Sequence, residues 1–159
     1  MTDNAGDSSD AITDALLSAS RLLVAISARS IADVDDTLTF PQFRTLVILR
    51  TRGPVNLATL AGLLDVTPST AGRMVDRLVE AGLIDRRPHP ESRRELIAEL
   101  SARGRDTVDA VTAKRRAEIA AIVATMPRAE RHGLVRALSA FTEAGGELPV
   151  GAAEEDHLR

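Results

Sequence analysis

Val66-Thr67-Pro68-Ser69-Thr70-Ala71-Gly72-Arg73-Met74-Val75-Asp76-Arg77-Leu78-Val79-Glu80-Ala81-Gly82-Leu83-Ile84 is the stretch on which the fold turns. Thr67 is a helix cap and Pro68 sits in the first turn, where its missing N–H costs nothing. Ala71, Met74, Val75 and Leu78 then recur at i, i+3, i+4 and i+7, the spacing of one buried helical face. Gly82 ends the helix. Immediately before it, Asn56 caps a shorter helix with Leu57, Leu60, Ala61 and Leu64 at the same spacing, and Asp65-Val66 is a tight join. Two helices so joined predict a helix-turn-helix.

Downstream the period changes. Leu83–Arg87 and Glu95–Leu100 have strand character, and the prolines and charges of Pro88–Arg94 predict an exposed hairpin tip between them. A helix-turn-helix followed by such a hairpin is a winged helix. Ser101 caps a long helix to about Thr125, with Val108, Val111, Ile119 and Ile122 as its stripe. Pro127 breaks it, and a last helix carries Leu134, Val135, Leu138 and Phe141 up to Gly145-Gly146. Upstream, Thr39-Phe40-Pro41-Gln42 is a capping box that opens a helix closed by Gly53-Pro54. A further helix spans roughly 10–34, with apolar residues on more than one stripe, as expected of a helix buried against several partners.

The expected fold is therefore mostly α: a winged helix-turn-helix domain with a two-stranded β-wing, flanked by N- and C-terminal helices that form a dimerisation domain. Residues 37–104 make the DNA-binding domain, and 10–36 with 105–145 the helical one. Residues 1–9 and 146–159 are expected to be a disordered and a flexible acidic tail.

Composition narrows the function. Aromatics are 2% of the 159 residues, all Phe, which argues against stacking platforms for single-stranded nucleic acid. There is no cysteine, so no thiol switch or Cys-zinc site. His89, His132 and His157 are scattered, and no metal or cofactor is expected. No Gly-rich phosphate loop, G-x-S-x-G or His–Glu pair speaks for an enzyme. The acidic N-terminus is unlike a secretory signal, and no apolar run approaches the length of a membrane span, so a cytoplasmic protein is expected. The net charge of −3 looks wrong for a polyanion binder, yet residues 1–10 and 143–159 hold 8 acids and 1 base. Residues 11–142 retain 19 bases and 15 acids, a net of +4. All bases but Lys114 are Arg, the side chain suited to phosphate and guanine; a GC-rich genome explains the same bias.

With its inner face committed to the core, the helix over 68–81 leaves Pro68, Ser69, Thr70, Arg73 and Arg77 outside. The start of such a helix enters the major groove: short hydroxyls allow close approach, Arg73 reaches a base edge or phosphate, and Arg77 a phosphate. An ordinary exposed, capped helix face has the same appearance. On the hairpin, Arg86, Arg87, Arg93 and Arg94 cluster around the single acid Glu91. Such a cluster does nothing for folding and suits a minor groove.

The 66–84 segment closely resembles the recognition helix of the MarR family. Arg86-Arg87-Pro88 through Arg93-Arg94, with Leu100-Ser101-Ala102-Arg103-Gly104, resembles its wing and following helix, and Leu38-Thr39-Phe40-Pro41-Gln42-Phe43 the opening of its second helix. The resemblance covers roughly residues 10–145. It implies an obligate homodimer with intertwined outer helices on a palindromic double-stranded operator, recognition helices in successive major grooves and wings in the flanking minor grooves. It also implies repression as the usual mode. Ser69, Thr70, Arg73 and Arg77 match the recognition positions and Arg94 the wing-tip arginine. Ser92 stands where the family commonly has an Asp that pairs with that arginine.

The family often holds a small anionic or aromatic ligand between its two layers, and Arg29, Phe40, Phe43 and Arg44 are the expected lining. The plainer reading puts both Phe in the core and both Arg on the surface. A winged helix that coats DNA without sequence preference, or that binds proteins, is the alternative function.

Overall fold

The computed structural model describes residues 8–150, apart from the side chain of Arg93; residues 1–7 and 151–159 of the two expected tails lie outside the described residues. Helix α1 spans Ser9–Val34, α2 Phe40–Arg52, α3 Leu57–Leu64 and α4 Pro68–Glu80. A hairpin of β2 (Ile84–His89) and β3 (Ser92–Leu100) follows, then α5 (Ala102–Thr125), α6 (Arg128–Arg131) and α7 (Leu134–Ala144). The two-residue strand β1, Val55–Asn56, precedes α3.

The helix starts follow from side-chain caps. Thr39 accepts from the Gln42 amide while the Gln42 side chain accepts from the Thr39 amide, the reciprocal box read from the sequence. Asn56, Thr67 and Ser101 each accept from an amide three residues on. Asp65 closes α3 in the left-handed region, at φ 54°, and so turns the chain into α4.

The wing is the expected two-stranded hairpin of β2 and β3, and the short β1 adds a third strand to its sheet. The sheet has the order β1-β3-β2, with β3 central: Val55 pairs with Ala98 and Asn56 with Ile97. The capping role of Asn56 was readable from sequence, whereas a two-residue strand has no period to read. The hairpin is also longer than expected. Its turn is only Pro90-Glu91, and the register jumps from Pro88↔Leu96 to His89↔Ser92. Pro88 has no N–H for the ladder, and the break falls beside it, so Arg93, Arg94 and Glu95 form a bulge on β3.

Ile31 of α1, Phe43, Leu46 and Leu49 of α2, Leu60 of α3, Val75 and Leu78 of α4, Leu83, Ile84 and Leu100 of the hairpin and Val108 and Val111 of α5 share one core. The expected helical and wing regions thus meet without a break at the base of α5. Beyond Val111, no residue of α5 is buried, and none of α6 or α7 is. Four-residue α6 was not expected; Pro127 stops α5, and Arg131 folds back to donate to the Met126 carbonyl.

Helix α1 corrects a second expectation. It is long and apolar enough, by length and composition, to cross a membrane, with a window of mean hydropathy 1.5. In the fold it lies along α5 and buries only Ile26, Ser27, Ser30 and Ile31. Ser18, Ser20, Ser27 and Ser30 interrupt the apolar run along the sequence; Ser27 donates to the Leu23 carbonyl, which lets an apolar helix carry it at little cost.

Among the described glycines, Gly104 at the start of α5 is the most closely packed. A Cβ on Gly104 would fall inside contact distance of the Leu83 carbonyl oxygen and 3.1 Å from Leu100 Cδ2. Backbone cannot move aside as a side-chain tip can. Gly104→Ala is expected to lower the unfolding free energy by about 1–3 kcal/mol, read from urea denaturation. An unchanged midpoint would show that α5 does not seat on Leu83.

Candidate nucleic-acid interface

Helix α4 buries Ala71, Val75 and Leu78 and turns Pro68, Ser69, Arg73 and Arg77 to solvent, with Thr70 half-buried. The amphipathic spacing alone produces this split. Its N-terminus holds a hydroxyl network: Thr67 Oγ1 lies 3.1 Å from Ser69 Oγ and donates to Thr70 Oγ1 at 3.0 Å, while Arg73 donates to Thr70 Oγ1 at 3.3 Å. Arg73 is thereby held toward the helix start, where the first-turn amides and the macrodipole favour an anion. Neither Arg73 nor Arg77 has an ion-pair partner among the described residues.

The wing arginines are not equivalent. Arg86 and Arg87 sit in the paired base of the hairpin, opposite Ala98 and Ile97, rather than at its tip. Arg86 is ion-paired with Asp76 on the outer face of α4. Arg87 reaches Glu99 at 3.3 Å. The expected repulsion among four arginines is therefore relieved for two of them. Arg94 lies exposed in the bulge without an ion-pair partner among the described residues, and the side chain of Arg93 lies outside them. His89 Nδ1 accepts from the Glu91 amide and closes the turn. Asp76 and Glu99 were missed by sequence reading. Asp76 sits between Arg73 and Arg77 and is ten positions from Arg86, so only the return of β2 along α4 brings the pair together.

The four residues expected at a ligand cleft differ in their surroundings. Phe43 is 5% exposed in the core, while Phe40 is exposed at the start of α2. Arg29 pairs with Glu118 across α1 and α5. Arg44 lines a cleft, where it meets Glu147, a residue expected in the flexible tail.

Residues 38–96, which hold both α4 and most of the wing, match the model of the MarR family. The crystal structure of RV1404 from Mycobacterium tuberculosis is 71% identical and superposes with a TM-score of 0.83, over 91% of this chain and 99% of that one. This chain belongs to the MarR family. An uncharacterized HTH-type transcriptional regulator of Mycobacterium bovis is 31% identical over 90 residues, 57% of this chain and 63% of that protein. The HTH-type transcriptional repressor NicR of Pseudomonas putida is 38% identical over 77 residues, 48% of this chain and 49% of its own length. The matched stretch thus spans less than two thirds of these curated relatives. The family is one of transcriptional regulators, not of enzymes.

The Arg86–Asp76 pair is 40% and 53% exposed, so water screens it. Asp76→Asn is expected to change the unfolding free energy by no more than about 1 kcal/mol. A several-fold larger loss on chemical denaturation would mean that this pair, not the β2–β3 ladder, holds the wing to α4.

Proposed function

We propose that this MarR-family chain is a cytoplasmic, homodimeric, sequence-specific repressor that binds a palindromic operator and is released by a small ligand. The observation that carries the DNA-binding part is the outward row of Ser69, Arg73 and Arg77 on α4, with half-buried Thr70 among them, beside a wing whose bulge presents Arg94. In this reading Pro68, Ser69 and Thr70 bring the helix start against the backbone and Arg73 reads a base edge. Arg77 meets phosphate, and Arg94 with Arg93 enters the minor groove. Arg86 and Arg87 act at the wing base, where phosphate competes with Asp76 and Glu99. The name of NicR supports repression.

Dimerisation is supported by what the single chain leaves uncovered. Leu17, Leu22, Leu23 and Val24 of α1 are 43–58% exposed, and Val135, Leu138 and Phe141 of α7 are 44–80% exposed. Fully burying such a side chain is worth about 1.5–3 kcal/mol, so this set is large enough to offset the cost of association. Residues 10–36 and 105–145 would then supply the dimer layer and 37–104 the DNA-binding layer.

The decisive experiment titrates the protein on the duplex upstream of its own gene against random competitor at several salt concentrations. A regulator discriminates by about 10³-fold or more; a steep salt slope without preference would instead support a non-specific DNA coat. Arg73→Ala is expected to cost about 1–3 kcal/mol and to relax preference at one or two base pairs. Equal weakening on all sequences would reduce Arg73 to a phosphate contact. Leu17→Glu, on an exposed residue, is expected to yield monomers by light scattering; a persistent dimer would remove α1 from the interface.

A further inference from the structure

Helix α7 ends in a turn that sends the chain back to α2. Gly146, at φ 75°, donates to the Glu143 carbonyl at 3.0 Å, and the Glu147 amide donates to that of Thr142 at 2.9 Å, the paired bonds of a left-handed helix stop. Glu147 then meets Arg44 of α2 at 2.8 Å. The described residues end at Val150, which borders the same surface as Arg115 and Arg116 of α5. On that surface Arg44 is paired with Glu147 and Arg50 with Asp109. Arg115 and Arg116 have no ion-pair partner among the described residues. Arg115 Nε is buried with no hydrogen-bond partner, and a buried donor left unmade is costly. Residues 151–159 continue from Val150 and carry Glu154, Glu155 and Asp156 in a row. These acids stand four to six residues beyond Val150, and an extended chain of that length spans about 13–20 Å. That reach suffices for two arginines that border the surface on which Val150 already lies.

We propose that Glu154, Glu155 and Asp156 dock on Arg115 and Arg116 of the same chain, and that this acidic strap shields a second basic surface from polyanions. Position and charge both select this occupant. The strap is anchored by Glu147 on Arg44, and two unpaired guanidinium groups stand where its acids arrive. An intramolecular contact avoids the cost of bringing two molecules together, so ion pairs that are weak between chains are populated within one. Arg116 is exposed and Arg115 half-buried, so the contact weakens as salt rises. Both arginines belong to α5, not to α4 or the wing. Left open, they offer phosphate a sequence-independent foothold that competes with the α4 face. Covered, they leave Arg73, Arg77 and Arg94 as the cations a duplex meets. This inference goes beyond the proposed function and rests on it only for the shielding role.

The test uses the full chain, which has no cysteine of its own, with a nitroxide on Leu158→Cys. Paramagnetic broadening is expected at the α5 amides flanking Arg115 and Arg116. It is expected to vanish when Glu154→Gln, Glu155→Gln and Asp156→Asn are combined, and to weaken with Arg116→Gln alone. Broadening that survives loss of the three acids, or that falls on α4 and wing amides instead, overturns the docking. Nitroxide-bearing chains are also mixed with isotope-labelled chains that carry none. Equal broadening of α5 in that mixture places the strap of a second copy there and overturns the assignment to the same chain. Random duplex is then titrated at several salt concentrations. The chain without the three acids is expected to show a salt slope steeper by about one to two, from two freed arginines at about 0.9 per phosphate. Adding Arg115→Gln and Arg116→Gln is expected to return the slope. A slope that stays steep shows that the acids act by net charge alone and overturns the shielding. Broadening as expected without duplex binding by any variant overturns the DNA-binding reading, and the shielding with it, but not the docking.

Discussion

The carbonyl of Leu83 is the point on which the architecture hangs. It accepts from the Ser101 amide at 3.1 Å and packs against Gly104, where no side chain could stand. Ser101 Oγ donates to the Gly82 carbonyl at 2.7 Å, and Arg103 donates to that of Ala81 at 3.1 Å. The end of α4, the base of the wing and the first turn of α5 are thus fixed to one another within a few residues. Gly82, at φ 74°, supplies the reversal that makes the meeting possible. The direction of α5 sets where the outer helices lie, so the orientation of α4 relative to those helices is decided here.

The electrostatics of the α4–wing face follow from the same junction. Because β2 returns alongside α4, Arg86 meets Asp76, while its neighbour Arg87 meets Glu99 across the ladder. Arg73, Arg77 and Arg94 keep their charge uncompensated by any described carboxylate within pairing distance. A chain with a net charge of −3 thereby presents a basic face. Salt bridges on that face are solvent-exposed and weak, so they shape the approach of a polyanion without resisting it.

Much of the fold was legible because its signals are local. The Thr39 box, Asn56, Thr67 and Ser101 act over three residues, and their hydrogen bonds form as read. The inner face of α4 follows from helical period alone. The exposed row on α4 was legible for the same reason: whatever does not face the core faces out. The wing was harder. Its two strands could be read, yet the bulge at Arg93–Glu95 depends on which β3 residues pair across Pro88, and β1 depends on β3 being in place.

By itself, the sequence determined the helices other than α6, their caps, the helix-turn-helix order and the family. These rest on contacts between residues a few positions apart, whose outcome the chain carries wherever it folds. Tertiary structure alone decided the partners of Arg86 and Arg87, the third strand, the burial of Phe43 beside an exposed Phe40, and the return of Glu147 to Arg44, 103 positions away. Local pattern says which way a side chain faces from its own element. What it meets there depends on where another element has been carried, and that is set by the shared core and the Leu83 junction.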